Sequence, residues 1–331
     1  MNKTRRQKKA ASRTRLNSID FLRGLAMVVM ALDHTRDFFA AGGFNPRDVT
    51  EPALFLTRWI THFCAPTFIF LAGISAFLYG TERKTTEVSR YLFTRGCWLV
   101  LIEFTIVRFG WTFSFKIDYL VIQVIFAIGA SMITLAALVH LPRWAIATVG
   151  LALIAGHNLF DGIKAEQLGA AAPVWHLLHQ PGAVDLTRGF KLIVLYPLIP
   201  WIGVMAAGYA LGPLFRLKRE TRVRQLFAIG ALITVGFVFL RATNLYGDPA
   251  PWAVQNGVVA TTLSFIELRK ISSVVAFSGD DARTCAYASR GVRRSAGNHR
   301  WLDYDIRSGA VVLLHCSHLS AARVRHLVRV D

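Results

Sequence analysis

The sequence predicts an all-α fold: a polytopic transmembrane helix bundle of about seven spans. Three observations predict it. First, 53% of the 331 residues are hydrophobic and only 18% are charged, against about 25% charged in a soluble domain. The mean hydropathy is +0.41. Second, apolar segments near spanning length follow one another, separated mostly by short loops. Third, lysine and arginine concentrate in alternate loops, as the bias of basic residues toward the cytoplasmic side requires.

The first segment, Ile19–Phe39, is the least uniform. It carries Asp20, Arg23, Asp33, His34, Arg36 and Asp37. Positions 20, 23, 27, 30, 34 and 37 recur at helical spacing, so Asp20, Arg23, His34 and Asp37 share one stripe. Ionisable groups in a span are costly and face a bundle interior or a wet cavity. The helix therefore reads as one wall of a polar site. The plainer alternative is that Asp33, Arg36 and Asp37 form a helix end meeting water, and that Arg23 only pairs with Asp20.

The remaining segments follow in order as Ala53–Tyr79, Tyr91–Phe109, Ile117–Val139, Trp144–Phe160, Phe190–Leu211 and Val223–Leu240. His62 lies in the second beside Trp59 and Pro66, as a packing or a catalytic residue. Glu103 lies mid-way along the third, with Arg108 as its expected partner. Arg95, Lys116, Asp118 and Gln123 are further polar candidates.

Orientation follows from the loops. Residues 1–15 form a basic N-terminus with seven Lys and Arg. With that end cytoplasmic, loops 80–90, 140–143 and 212–222 lie on the same side. Arg83, Lys84 and Arg90 occupy the first; Arg216, Lys218, Arg219 and Arg222 occupy the third. The opposite loops are poorer in basic residues. The longest of them, Asp161–Gly189, holds His176 and His179, with His157 just before it. It reads as a surface loop or a functional one.

Composition excludes other classes. The net charge of +18 gathers at segment ends and in the last third, and no zinc-finger or RNA-binding signature accompanies it. No nucleic-acid partner is expected. Cys64, Cys97, Cys285 and Cys316 form no CxxC pair, so no metal site is expected, and Cys64 and Cys97 read as buried small hydrophobes. No phosphate-binding loop, dinucleotide fingerprint or nucleophile elbow appears, and no bound cofactor is expected.

After Glu267 the text changes. Residues 268–331 contain ten Arg and one Lys without periodicity, and the best apolar run there is Ala310–Leu314. The chain thus divides into residues 1–15, a membrane domain over 16–266, and a tail over 267–331. The tail reads as translation out of frame from near Ser264–Lys270, or as a disordered basic tail.

The run Arg15-Leu-Asn-Ser-Ile-Asp-Phe-Leu-Arg-Gly-Leu-Ala resembles the opening of the heparan-alpha-glucosaminide N-acetyltransferase catalytic-domain family. Phe63–Tyr79, FCAPTFIFLAGISAFLY, resembles that family's second span. The resemblance extends over about residues 15–266. It implies a multi-pass inner-membrane protein that transfers an acetyl group from acetyl-CoA, a co-substrate, to a saccharide or amino-sugar acceptor. Relatives continue past a segment like Leu263-Ser264-Phe265 into a Lys-Tyr-Pro-Pro-Ser type of stretch, whereas here IELRKISSVVAF follows. Arg23, Ala26 and His34 also resemble the first-span pattern of O-antigen acetylase-type membrane acyltransferases. The heparan-type enzyme carries its acetylated histidine in the loop after the first span. That loop here, Ala40–Pro52, holds none, so a covalent acetyl-histidine is not carried over.

Acyl transfer needs a base and donors for the developing oxyanion. His34 is the expected base, with Asp33 or Asp37 orienting it. Arg23 is eleven residues away, roughly 16 Å along a helix, so it serves a more distant phosphate or carboxylate. Asp20, His62, Glu103 and Arg108 complete the expected substrate-binding set. A transporter or a non-catalytic membrane protein is the alternative, with the same charges lining a substrate or proton path.

Overall fold

The computed structural model describes residues 17–39, 51–117, 119–187, 190–244 and 251–267, with the backbone alone at 17, 37–39 and 187. The basic N-terminus and the tail beyond 267 lie outside the described residues.

Helix α1 (Asn17–Phe39) is the first apolar segment. It packs on the following pair, α2 (Pro52–Thr61) and α3 (Cys64–Gly80). Buried Ile19 meets buried Leu71 and Ile74, with Phe70 and Leu78 around them. The sequence suggests one helix over Ala53–Tyr79, and the structure interrupts it at His62–Phe63. Pro66 supplies the reason. It has no N–H for the His62 carbonyl four residues back, and its ring crowds that carbonyl.

Helix α4 (Thr85–Ile102) continues through a π turn, Glu103–Val107, into α5 (Arg108–Thr112). Phe113 then ends the run with a left-handed φ of 47°. Helix α6 (Val124–Leu138) and α7 (Arg143–Gly156) follow. Two 3-10 turns, His157–Phe160 and Ala165–Ala171, lead to α8 (Ala172–Leu178). Helix α9 (Leu198–Leu211) and its 3-10 extension Gly212–Arg216 precede α10 (Arg219–Thr243) and α11 (Val258–Ile266).

The fold is mostly helical, with one addition that hydropathy did not suggest. Strands β1 (Tyr119–Ile122), β2 (Gly182–Thr187) and β3 (Phe190–Val194) form a small sheet in the order β1-β3-β2. β1 runs parallel to β3, pairing Tyr119 with Lys191 and Ile122 with Val194. β2 runs antiparallel to β3. Two expected spans, Ile117–Val139 and Phe190–Leu211, therefore begin as strands. Short apolar runs do not distinguish strand from helix by hydropathy, and both runs here are rich in aromatic and branched residues. Pro197 then separates β3 from α9.

This shortening bears on the count of spans. Among the described residues, Pro52–Gly80, Leu198–Arg216 and Arg219–Thr243 are long and apolar enough to cross a membrane. Arg143–Phe160 and Ala165–Leu178, bent by 111°, make a fourth if taken as one span. The expected seven are not reached on that measure. α1 carries too many charges, and α6, at 15 residues, covers about 22 Å of a core about 30 Å thick.

Small residues bring the central helices together. A Cβ on Gly96 of α4 would sit 2.6 Å from the Gly129 carbonyl oxygen of α6, and one on Gly129 would sit 2.8 Å from the Gly96 oxygen. Gly150 of α7 and Gly203 of α9 meet in the same way. Close backbone approach of this kind drives helix association in lipid. Ile69, Leu92, Ala127, Leu135, Ile146 and Met205 fill the core between these helices. Cys64 is buried as expected, whereas Cys97 is exposed. It lies on the outer face of α4 with exposed Phe93, Trp98 and Leu101.

Candidate functional site

The polar stripe of α1 divides into two ends. At the first, the Arg23 guanidinium donates from Nη2 to the Ser75 hydroxyl and to the Leu71 carbonyl at 3.4 Å, both on α3. Its Nη1 stands 3.9 Å from Asp20 Oδ1, and both side chains remain about a third exposed. Arg23 thus ties α1 to α3 while keeping one edge near Asp20.

At the second end, Asp33 is the hub. Arg58 Nη1 donates to Asp33 Oδ1 at 2.9 Å and to Oδ2 at 3.1 Å. Thr61 Oγ1 donates to Oδ1 at 2.7 Å, and Arg36 Nη2 reaches Oδ1 at 2.5 Å. Arg58 and Asp33 are nearly enclosed, with 9% and 17% of their side chains exposed. Arg58 and Thr61 are three residues apart on α2, so one helical face presents both to α1. Arg58 Nε is buried and has no hydrogen-bond partner among the described residues.

His34 looks another way. Its half-buried ring meets Trp111 of α5 edge-on, with centroids 5.3 Å apart and planes at 81°. Successive helical residues project about 100° apart, so Asp33 faces α2 while His34 faces α5. Among the described residues, the hydrogen bonds of Asp33 run to Arg36, Arg58 and Thr61. The Asp37 side chain lies outside the described residues. His62 sits at the break between α2 and α3, half-buried and next to Thr61, its backbone N–H bonded to the Arg58 carbonyl at 3.2 Å.

Glu103 and Arg108 occupy separate settings. Glu103 is buried, and its carboxylate accepts the Gln123 N–H at Oε1 and the Phe126 N–H at Oε2, each at 3.2 Å. It caps the start of α6, where free backbone donors and the helix dipole favour an anion. Arg108 donates to the carbonyls of Ser114 at 3.3 Å and of Lys116. It closes the turn after α5 and does not pair with Glu103 as the sequence suggested. Each group is engaged elsewhere: the guanidinium by the turn carbonyls, the carboxylate by the first amides of α6.

Residue spacing does not single out Arg58, Thr61, Ser75 or Trp111. Arg58 carried a signal, being a charge within the apolar run PALFLTRWIT. Its contact with Asp33 depends on the approach of α1 and α2, which residue spacing does not reveal.

A second polar cluster lies in the long loop. His179 Nε2 is 3.0 Å from Asp161 Oδ1, and its ring centroid is 5.0 Å from that of Trp175. His176 Nδ1 pairs with the Gln180 carbonyl at 2.9 Å. Among the described residues, no group of three or more His, Cys, Asp or Glu is arranged to hold a metal ion.

The profile of the family "Heparan-alpha-glucosaminide N-acetyltransferase, catalytic" matches residues 15–240, more than half of the chain. The chain belongs to this family. The match begins at Arg15, where the sequence resemblance opens, and includes Arg23, Asp33, His34, Arg58, His62 and Glu103. It ends before residue 266, where the resemblance was expected to stop. No curated protein and no solved structure matches the chain. As a member of the heparan-alpha-glucosaminide N-acetyltransferase family, the chain is an acetyltransferase-like membrane protein.

Proposed function

We propose that this protein is an integral membrane acyltransferase. It moves an acetyl group from acetyl-CoA, arriving from the cytoplasm, to a saccharide or amino-sugar acceptor. The observation that carries this reading is the family match over residues 15–240, which encloses the Asp33–Arg58–Thr61 cluster and His34 beside it.

In this reading the acceptor hydroxyl or amine attacks the thioester carbonyl, and His34 removes its proton. Histidine suits the role because its ordinary pKa of about 6.5 lies near working pH. The oxyanion that forms calls for a cationic or hydrogen-bond donor beside His34. Collapse expels the coenzyme A thiolate, which takes a proton from His34 and leaves the acetylated acceptor. Asp33 holds Arg58 and Thr61 in place, and Arg23 lies nearer the donor's side. Glu103, Arg108 and His62 shape the walls.

The protein sits in the inner membrane as a multi-pass chain of about seven spans with its N-terminus cytoplasmic. The basic loops at 80–90, 140–143 and 212–222 support that orientation. In α1, pairing within the protein offsets the cost of charge at membrane depth.

The test uses membranes containing the full chain, labelled acetyl-CoA and a panel of saccharide acceptors. Label should appear in an acceptor, and His34→Ala should reduce transfer by about 10²-fold or more, the usual contribution of a general base. Saccharide uptake into vesicles without any label transfer would assign the protein to transport instead.

A further inference from the structure

Helices α4 and α6 cross tightly at Gly96 and Gly129. Toward the start of α4 they leave a groove of about 610 Å³ between them. Its two ends differ in chemistry. Arg90, Thr86 and His140 stand at the loop end, all three exposed. Phe93, Ile133 and Ala137 line the deeper part. Among the described residues, the Arg90 guanidinium and the His140 imidazole have no side-chain hydrogen bond or ion pair. Phe93 is 51% exposed, and the face of α4 that continues from it carries exposed Cys97, Trp98 and Leu101. An apolar face of this kind on a membrane protein is turned to the hydrocarbon.

A groove with a cation and donors at one end, apolar walls at the other and lipid alongside matches an amphiphile with an anionic head. We propose that this groove holds an anionic phospholipid, its phosphate on Arg90, Thr86 and His140 and one acyl chain along Phe93, Ile133 and Ala137. The proposal rests on the membrane setting argued above and not on acyl transfer. The loops that frame the groove, 80–90 and 140–143, bring Arg83, Lys84 and Arg143 as well as Glu82 and Glu87, so with Arg90 the local balance stays positive, which favours an anionic lipid. The soluble donor fits less well. Coenzyme A carries several phosphates and an adenine, and most of this lining is apolar.

Native mass spectrometry of the full chain in detergent, titrated with palmitoyl-oleoyl phosphatidylglycerol or the matching phosphatidylcholine, tests this. Phosphatidylglycerol should be retained in preference. Arg90→Gln should weaken its retention about fivefold, the size expected of one basic side chain at an anionic lipid surface. Arg90→Lys should restore most of it. Ala137→Trp, which fills the apolar part without altering charge, should also reduce retention. Arg219→Gln, at the exposed start of α10, should leave it unchanged. Equal retention of the two lipids, or full retention by Arg90→Gln, overturns the proposal. So does displacement of the bound lipid by coenzyme A, which would give the groove to the soluble donor. Loss or retention of acetyl transfer has no bearing on any of these outcomes.

Discussion

At Asp33 a single carboxylate receives hydrogen bonds from Arg58, Thr61 and Arg36, and so joins two helices. Removing Arg58 leaves that carboxylate enclosed with fewer donors. Arg58→Ala should therefore destabilise the protein by about 3–5 kcal/mol, the cost of breaking a buried pair on one side. The detergent-solubilised chain would show this as a lowered thermal midpoint. Asp33→Asn combined with Arg58→Met should lie closer to wild type, because the enclosed Arg58–Asp33 charges leave together and the introduced amide oxygen still accepts from Arg36. A double variant as damaged as Arg58→Ala would show that the pair is not the unit of stability there. Much at this scale was legible in the sequence. Asp20, Arg23, Asp33 and His34 stood out because charge within an apolar run demands an explanation. The direction each side chain takes was less legible. Neighbouring residues on α1 turn to different helices, so Asp33 addresses α2 while His34 meets Trp111.

Among the elements, the join between α4 and α6 has two parts that fail differently. Glu103 caps α6 through the Gln123 and Phe126 amides. Glu103→Ala should cost about 1–2 kcal/mol, the usual loss for a removed cap. Glu103→Gln, which keeps acceptor oxygen but not charge, should cost less. Thermal midpoints of the two variants would rank them, and equal losses would contradict the capping role. Gly96→Leu acts through volume instead. With the Gly129 oxygen 2.6 Å from a Cβ on Gly96, the helices must separate, and a loss of about 1–3 kcal/mol or failure to fold is expected. Expression and thermal midpoint would report it. The apolar segments that became these helices were visible from hydropathy. The strands at Tyr119–Ile122 and Phe190–Val194 were not, because their pairing joins residues some seventy positions apart. The break at His62–Phe63 follows from Pro66, which the sequence displays but which hydropathy averaging conceals.

For the whole molecule, the proposed orientation puts the basic loops on one side. Single-cysteine labelling at positions 84 and 218 in sealed vesicles should report the same face. A cysteine at 164 should report the opposite one. Labelling of all three from one side would contradict the orientation. α10 belongs to this scale as well. It is among the helices long and apolar enough to cross, yet Arg241 is its buried residue, bonded to the carbonyls of Ser264, Phe265 and Glu267 at the end of α11. Its apolar surface is what a lipid-facing helix presents. In the proposed function this molecule transfers an acyl group with His34 as base. Acetyl transfer from labelled acetyl-CoA to saccharide acceptors, with wild type and His34→Ala compared at equal folded protein, tests it most directly. Labelled acceptor is expected with wild type, and a loss of about 10²-fold or more in the variant. Equal transfer by both proteins would remove His34 as the base, and no transfer by either across the acceptor panel would contradict the acyltransferase reading itself.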